Sequence, residues 1–166
     1  MIDRKAYNSI SYSISIVGSL QDGKYRGCVV NSLQQLTSSS PAKFAVTLNK
    51  YNLTEAAVEQ TGAFCATVAA ADCPHDIINL FGYKSGRITD KFAAYDTKTD
   101  DAGCPYITDG MCARLSFRVV QQVDLDSAVL FIAEVTEAEI LKDGGALTVD
   151  AFKNAGKEVP PNAPIY

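Results

Sequence analysis

Three segments of this chain concentrate side chains able to grip a polar, planar, anionic ligand. The first, residues 31–40, reads Asn-Ser-Leu-Gln-Gln-Leu-Thr-Ser-Ser-Ser. Amides and hydroxyls supply donors and acceptors together, so such a run can read the edge of a heterocycle with alternating carbonyls and N–H groups. It reads equally as a solvated connection of Asx and Ser/Thr turns. The second, residues 49–55 (Asn-Lys-Tyr-Asn-Leu-Thr-Glu), leaves an apolar run and enters a helical pattern. Backbone N–H groups at a helix start, a threonine hydroxyl and one lysine suit a terminal phosphate. An ordinary cap beside a surface lysine has the same letters. The third, residues 81–87 (Phe-Gly-Tyr-Lys-Ser-Gly-Arg), sets two glycines in a cationic, aromatic loop that can close over a flat ligand.

Other chemistries find little support. The Gly-x4-Gly-Lys-Ser/Thr order of a phosphate-binding P-loop is absent, as is Gly-x-Gly-x-x-Gly. Any nicotinamide nucleotide would therefore bind without a Rossmann unit. The single histidine, His75, follows Cys73-Pro74 and reads as a surface or cap residue rather than the base of a nucleophile pair. Asp100-Asp101 reads as a solvated turn. The cysteines (Cys28, Cys65, Cys73, Cys104 and Cys112) are odd in number and lack a C-x-x-C pair, so they read as small apolar thiols. No metal site is expected.

Composition narrows the class further. The hydrophobic fraction is 47% and the charged fraction 20%, as in an ordinary globular protein. Net charge is −4 with no Lys/Arg cluster, which excludes a nucleic-acid surface but not a small anion. No run approaches the roughly 20 apolar residues of a membrane helix. Residues 1–5 lack the apolar run of a signal peptide, so the cytoplasm is the expected compartment.

The elements that must position these segments can be read from hydropathy period and turn chemistry. Residues 3–10 predict a short helix with Tyr7 and Ile10 on one side. Residues 11–17 alternate as a strand, and Asp22-Gly23 turns the chain into an antiparallel return over 24–30. Residues 44–48 form a mostly buried strand. A helix over 55–60, capped by Asn52 or Thr54, ends at Gly62. A strand over 64–69 follows, then a helix through residue 80 with Pro74 in its first turn. Residues 89–92 form a helical turn, and 95–112 a polar connection. The long alternating runs 113–123 and 129–140 are the two longest strands. The tail is irregular around residues 160–164. About six strands and two or three short helices predict one domain over 1–166, a closed or nearly closed barrel plugged by helices. Closure also removes the exposed edges that such apolar strands would otherwise leave.

Taken in order, the motifs Asn31-Ser-x-x-Gln35-x-Thr37-Ser38, residues 44–54, Phe81-Gly-x-Lys-Ser-Gly-Arg87 and Asp90-Lys91-Phe92 resemble the flavin reductase-like domain family. Within it they are similar to the flavoredoxin and high-molecular-weight rubredoxin branch. The resemblance runs from about Tyr7 through the Pro161-Asn162-Ala163-Pro164-Ile165-Tyr166 tail. It implies a mostly β, FMN-binding split β-barrel with a few short helices, normally a homodimer with flavin near the subunit interface. It also implies roles. Asn31, Ser32, Leu33, Gln35, Thr37 and Ser38 would line the flavin ring and its ribityl chain. Lys50, Asn52 and Thr54 would hold the phosphate, with Asn49 beside them. Phe81 and Arg87 would sit near the flavin's open side. One departure stands out: Ala128 occupies a position that is often histidine in relatives, which puts direct NAD(P)H oxidation in question.

The resemblance thus implies an NAD(P)H-dependent flavin reductase with no catalytic side chain, the cofactor carrying the chemistry. The alternatives are an FMN electron carrier reduced by a protein donor and a flavin-free binding module. A rubredoxin-type domain, a diflavin protein or free flavin would accept the electrons.

Overall fold

A computed structural model describes residues 1–158; the tail motif at 161–166 lies outside the described residues. The strands are β1 (Ser15–Gln21), β2 (Lys24–Val30), β3 (Gln34–Gln35), β4 (Lys43–Asn49), β5 (Ala63–Ala69), β6 (Thr97–Thr99), β7 (Pro105–Ile107), β8 (Met111–Asp124) and β9 (Ala128–Ile140). The α-helices are α1 (Leu53–Thr61), α2 (His75–Tyr83) and α3 (Val149–Asn154). Seven strands form one antiparallel sheet in the order β2-β1-β5-β8-β9-β4-β3, and β6-β7 make a separate small hairpin.

Closure follows from local chemistry. Asp22 (φ 50°) and Gly23 (φ 74°) both take left-handed conformations, the pair a two-residue hairpin turn needs, and this fixes the β1–β2 register at Gln21↔Lys24. The long β8–β9 ribbon carries register shifts at Ser116/Phe117 and between Val119 and Gln121, and such bulges bend a strand around a barrel. Across the gap between β2 and β4, the Ser32 hydroxyl donates to Thr47 O at 2.8 Å and accepts from Thr47 N at 3.0 Å. Ser32 therefore joins the end of β2 to β4 and nearly closes the barrel.

Strand alternation sends side chains into two cores. Val17, Val30, Val46, Leu48, Phe64, Phe117 and Phe131 fill the interior beneath α1, with Phe64 stacked on Phe117 at 4.7 Å. Ile14, Ile16, Ile77, Ile78, Phe81, Phe92, Met111 and Phe152 fill the other layer, under α2 and α3. Each fully buried aliphatic or aromatic chain contributes about 1.5–3 kcal/mol of transfer free energy.

The mostly β barrel and the Asp-Gly hairpin agree with the sequence. So does the end of α1, where Gly62 sits at φ 66° and its N–H reaches Val58 O. Other boundaries moved. The first strand runs over Ser15–Gln21 rather than 11–17, because the hairpin register that starts at Gln21↔Lys24 reaches the end of β2 at Ser15↔Val30. The segment before it is a 3₁₀ helix, Arg4–Ser9, that buries nothing; Tyr7 and Ile10 are exposed. The 95–112 connection holds the β6–β7 hairpin, and the tail contains α3, capped by the Thr148 hydroxyl. Helix α2 runs to Tyr83, so Phe81 and Gly82 are helical rather than part of a loop.

The cysteines are free thiols, four of them buried. Burial pushes the Cys65 and Cys104 thiols up to about 12. An unfolded chain would ionise both near pH 9, so it binds fewer protons than the native state above that pH. The sign is therefore a stability undiminished below about pH 9 that falls as pH climbs toward 12. A denaturant midpoint measured from pH 8 to 11 should decline. Ellman's reagent at pH 8 should reach Cys65 and Cys104 only after unfolding.

Candidate functional site: a cationic cleft at the start of helix α1

The turn out of β4 brings residues 49–52 to the mouth of α1, where Asn52 is the cap residue in extended conformation. Tyr51 N bonds Asn49 Oδ1 at 2.9 Å, and Asn52 N bonds Asn49 O at 3.0 Å. Asn49 thus folds the turn that aims the first N–H groups of α1. Opposite lie Tyr25 to Val29 of β2, and over them the segment that follows α2. Between these walls is a cleft of about 120 Å³ that takes in Asn52, Leu53, Thr54, Phe81 and residues 82–87. It opens into a wider groove along Lys24, Tyr25, Ile88 and Asp90.

The roof is tied down by cations. Arg26 Nη1 donates to Gly86 O at 3.1 Å, and Arg87 Nη1 donates to Tyr51 O at 3.2 Å. The Ser85 carbonyl accepts from Thr89 N at 3.1 Å, and Ser85 Oγ accepts from Arg87 N at 3.2 Å, which gives the loop its turn. Thr54 is 2% exposed at the floor, where its hydroxyl meets the Cys28 thiol. Burial pushes that thiol up, so Cys28 stays a neutral wall. Four lining residues are cationic (Arg26, Lys84, Arg87 and Lys91), and none is Asp or Glu. In a chain with 19 acidic and 15 basic residues, this is a marked local excess of positive charge. With the N-terminus of α1, it is an arrangement for a small anion.

The predicted site residues divide. Asn52, Thr54, Phe81 and Arg87 line the cleft. Phe81 does so from the core, 1% exposed and edge-on to Phe92 at 5.0 Å. Asn31 and Ser32 continue β2 beyond Cys28 and Val29, which also line it. Leu33, Gln35, Thr37 and Ser38 run on along β4, Gln35 pairing with Phe44. Gln35 Nε2 donates to Thr37 O, and the Thr37 hydroxyl accepts from Lys43 N, so this arm has a defined shape although it is exposed. Lys50 points elsewhere. Its ammonium bonds both carboxylate oxygens of Asp124 at 2.8 Å, which raises its own pKa and lowers that of Asp124. The departure residue Ala128 is 7% exposed and pairs with Asn49 across β4–β9.

Sequence reasoning missed Arg26 and Lys91. Arg26 looked like one residue of a hairpin return. Lys91 stood in the Asp90-Lys91-Phe92 motif without a role. His75 is half-buried at the start of α2 against Phe152, away from the cleft. Among the described residues no cluster of His, Cys, Asp or Glu could hold a metal ion, and no helix is long and apolar enough to cross a membrane.

Fold and cleft together define a split-barrel protein with a cation-lined cleft beside a helix start. The model of the flavin reductase like domain matches residues 7–155, and the chain belongs to that family. It is 35% identical to a ferric-chelate reductase (NAD(P)H) from Archaeoglobus fulgidus, over 99% of this chain and 98% of the relative. It is 33% identical to a high molecular weight rubredoxin from Moorella thermoacetica, over 99% of this chain and 72% of the relative. Its fold is similar to that of flavoredoxin from Methanosarcina acetivorans, with a TM-score of 0.74 at 18% identity, over 84% of this chain and 74% of the other.

Proposed function

We propose that this chain binds FMN and works as an NAD(P)H-dependent reductase, with the flavin phosphate in the cationic cleft. The observation that carries the reading is the carboxylate-free, four-cation lining at the N-terminus of α1. A phosphate monoester supplies the negative charge this lining lacks, and Thr54, Asn52 and the first N–H groups of α1 offer it hydrogen bonds. The ring and ribityl chain would extend along Asn31, Ser32, Leu33, Gln35, Thr37 and Ser38, whose amides and hydroxyls suit them. Bound flavin accepts a hydride from a reduced nicotinamide; the protein's share is orientation, electrostatics and exclusion of water. No side chain is required as general acid or base.

We place the protein in the cytoplasm, where its free thiols suit a reducing milieu. It works as a homodimer in this reading. Tyr51, Val123 and Leu125 are exposed apolar side chains on the two segments that Lys50 joins, through its bonds to Asp124 and to Ser127 O. Such exposure favours a second copy. A rubredoxin-type protein is a natural electron acceptor, in keeping with the Moorella relative.

The test is anaerobic stopped-flow of the FMN-loaded protein against NADH and NADPH, following flavin absorbance. Fast bleaching with one of them is the expected result. Ala128, standing where the family resemblance implies a histidine, favours a second reading, an FMN electron carrier fed by another protein. Bleaching by dithionite but by neither nicotinamide would select the carrier.

A further inference from the structure

Lys91 is 8% exposed, and its ammonium donates to Phe81 O at 2.9 Å and Gly27 O at 3.0 Å. The first acceptor lies in the last turn of α2, the second on β2, so the side chain reaches both walls of the cleft. Those bonds use two of its three N–H groups. Both acceptors are neutral. Among the described residues no carboxylate forms an ion pair with it. Burial pulls its pKa down, and the one titratable group acting on it is Cys28, itself kept neutral by burial.

A buried ammonium without a counter-ion is costly, and two carbonyls could be served by a neutral donor. The other cations of the cleft do not offset it: Arg26 and Arg87 also spend hydrogen bonds on carbonyls, at Gly86 and Tyr51. Among the described residues no carboxylate pairs with any of the four cations of this lining, and Lys91 is its buried member. Its position is set from both walls, so its field acts on a ligand without side-chain ordering.

We propose that Lys91 is the fixed counter-charge of the cleft, a binding residue that selects a phosphate monoester over a neutral ligand of the same shape. The proposal rests on the reading of the cleft as the flavin phosphate site and adds the group that makes it selective. The matched ligands are FMN and riboflavin, which differ only in the phosphate. Affinity for each is read by flavin fluorescence quenching with wild type, Lys91→Arg, Lys91→Gln and Lys91→Met, and folding is checked by thermal melting of the apoproteins.

Wild type should prefer FMN strongly. Lys91→Arg should keep that preference within about threefold, since charge is retained. Lys91→Gln and Lys91→Met should each lose about tenfold or more of the FMN-to-riboflavin ratio while riboflavin affinity changes little. Equal losses for both ligands would show a mere clamp between β2 and α2 and overturn the proposal. If Lys91→Met does not fold, the Arg and Gln pair makes the same comparison, because glutamine keeps two donors without charge. Wild type that binds both ligands equally would sink the phosphate reading itself, and Lys91's role with it.

Discussion

Gly18→Ala should lower stability by about 3 kcal/mol and the melting temperature by roughly 6–12 °C. Gly18 lies in β1 opposite Cys65 on the face that the β6–β7 hairpin covers. An added Cβ would overlap the Pro105 carbonyl oxygen and press on Pro105 C at 3.1 Å and on Phe92 Cζ at 3.2 Å. The obstruction is backbone, so no rotamer change relieves it; the hairpin must lift off the sheet or β1 must sink into the core. Overpacking typically costs 1–3 kcal/mol, and a backbone obstacle belongs at the upper end. Gly145→Ala is the control, because a Cβ there meets nothing within 4 Å. Differential scanning calorimetry of both variants tests the argument. A Gly18→Ala shift as small as that of Gly145→Ala would mean the hairpin packs loosely.

That hairpin also marks where sequence reading ran out. Elements written in local chemistry were legible: Asp22-Gly23 needs only its own two residues to turn the chain, and Gly62 only its own φ. The long alternation of β8 and β9 was equally plain. The β6–β7 pair was not, because Thr97–Thr99 and Pro105–Ile107 are too short to show a period amid Asp, Gly and Pro. Their pairing is set by packing over Gly18, a contact between positions far apart in sequence.

The site divides along the same line. That Asn52, Thr54 and Arg87 gather at one cleft follows from local signals, a helix start and a Gly-bearing cationic loop. Lys50 shares that local signature, yet its ammonium is engaged by Asp124, 74 residues away. Nothing near Lys50 in sequence foretells that partner. Lys91 was hidden by the opposite expectation. A lysine is assumed solvated unless a carboxylate is at hand, and this one is buried against two carbonyls. Arg26 looked like any polar strand residue until β2 was seen to face Gly86.

Removing the Arg87 guanidinium should cost about one to two decades of FMN affinity and leave the fold almost untouched. Arg87 is exposed, and its bond to Tyr51 O tethers the roof to the entry of α1, so Arg87→Ala should change stability by no more than about 0.5 kcal/mol. A charge-assisted hydrogen bond to phosphate is worth about 1.5–3 kcal/mol, which is the expected loss in binding. Thr54→Val is the buried counterpart. It conserves shape at the floor of the cleft, removes one hydroxyl, and should cost about tenfold in FMN affinity. The two differ in salt response. The Arg87 contribution is solvent-facing and should shrink between 0.1 and 1 M salt, as the Debye length falls from about 10 to 3 Å. The Thr54 contribution should persist. Riboflavin affinity should be little changed in Thr54→Val, whose hydroxyl is given to the phosphate; an equal loss of riboflavin and FMN affinity in Arg87→Ala would instead put Arg87 at the flavin's open side, where the family resemblance places it. Isothermal titration of both variants and the double mutant at two salt concentrations decides the matter. Additive losses would mean two independent contacts with one anion, and a coupling above about 0.5 kcal/mol would mean that Arg87 acts by holding the α1 entry in place. FMN binding unchanged in both variants would remove the phosphate from this cleft and return the site to the arm at residues 31–38.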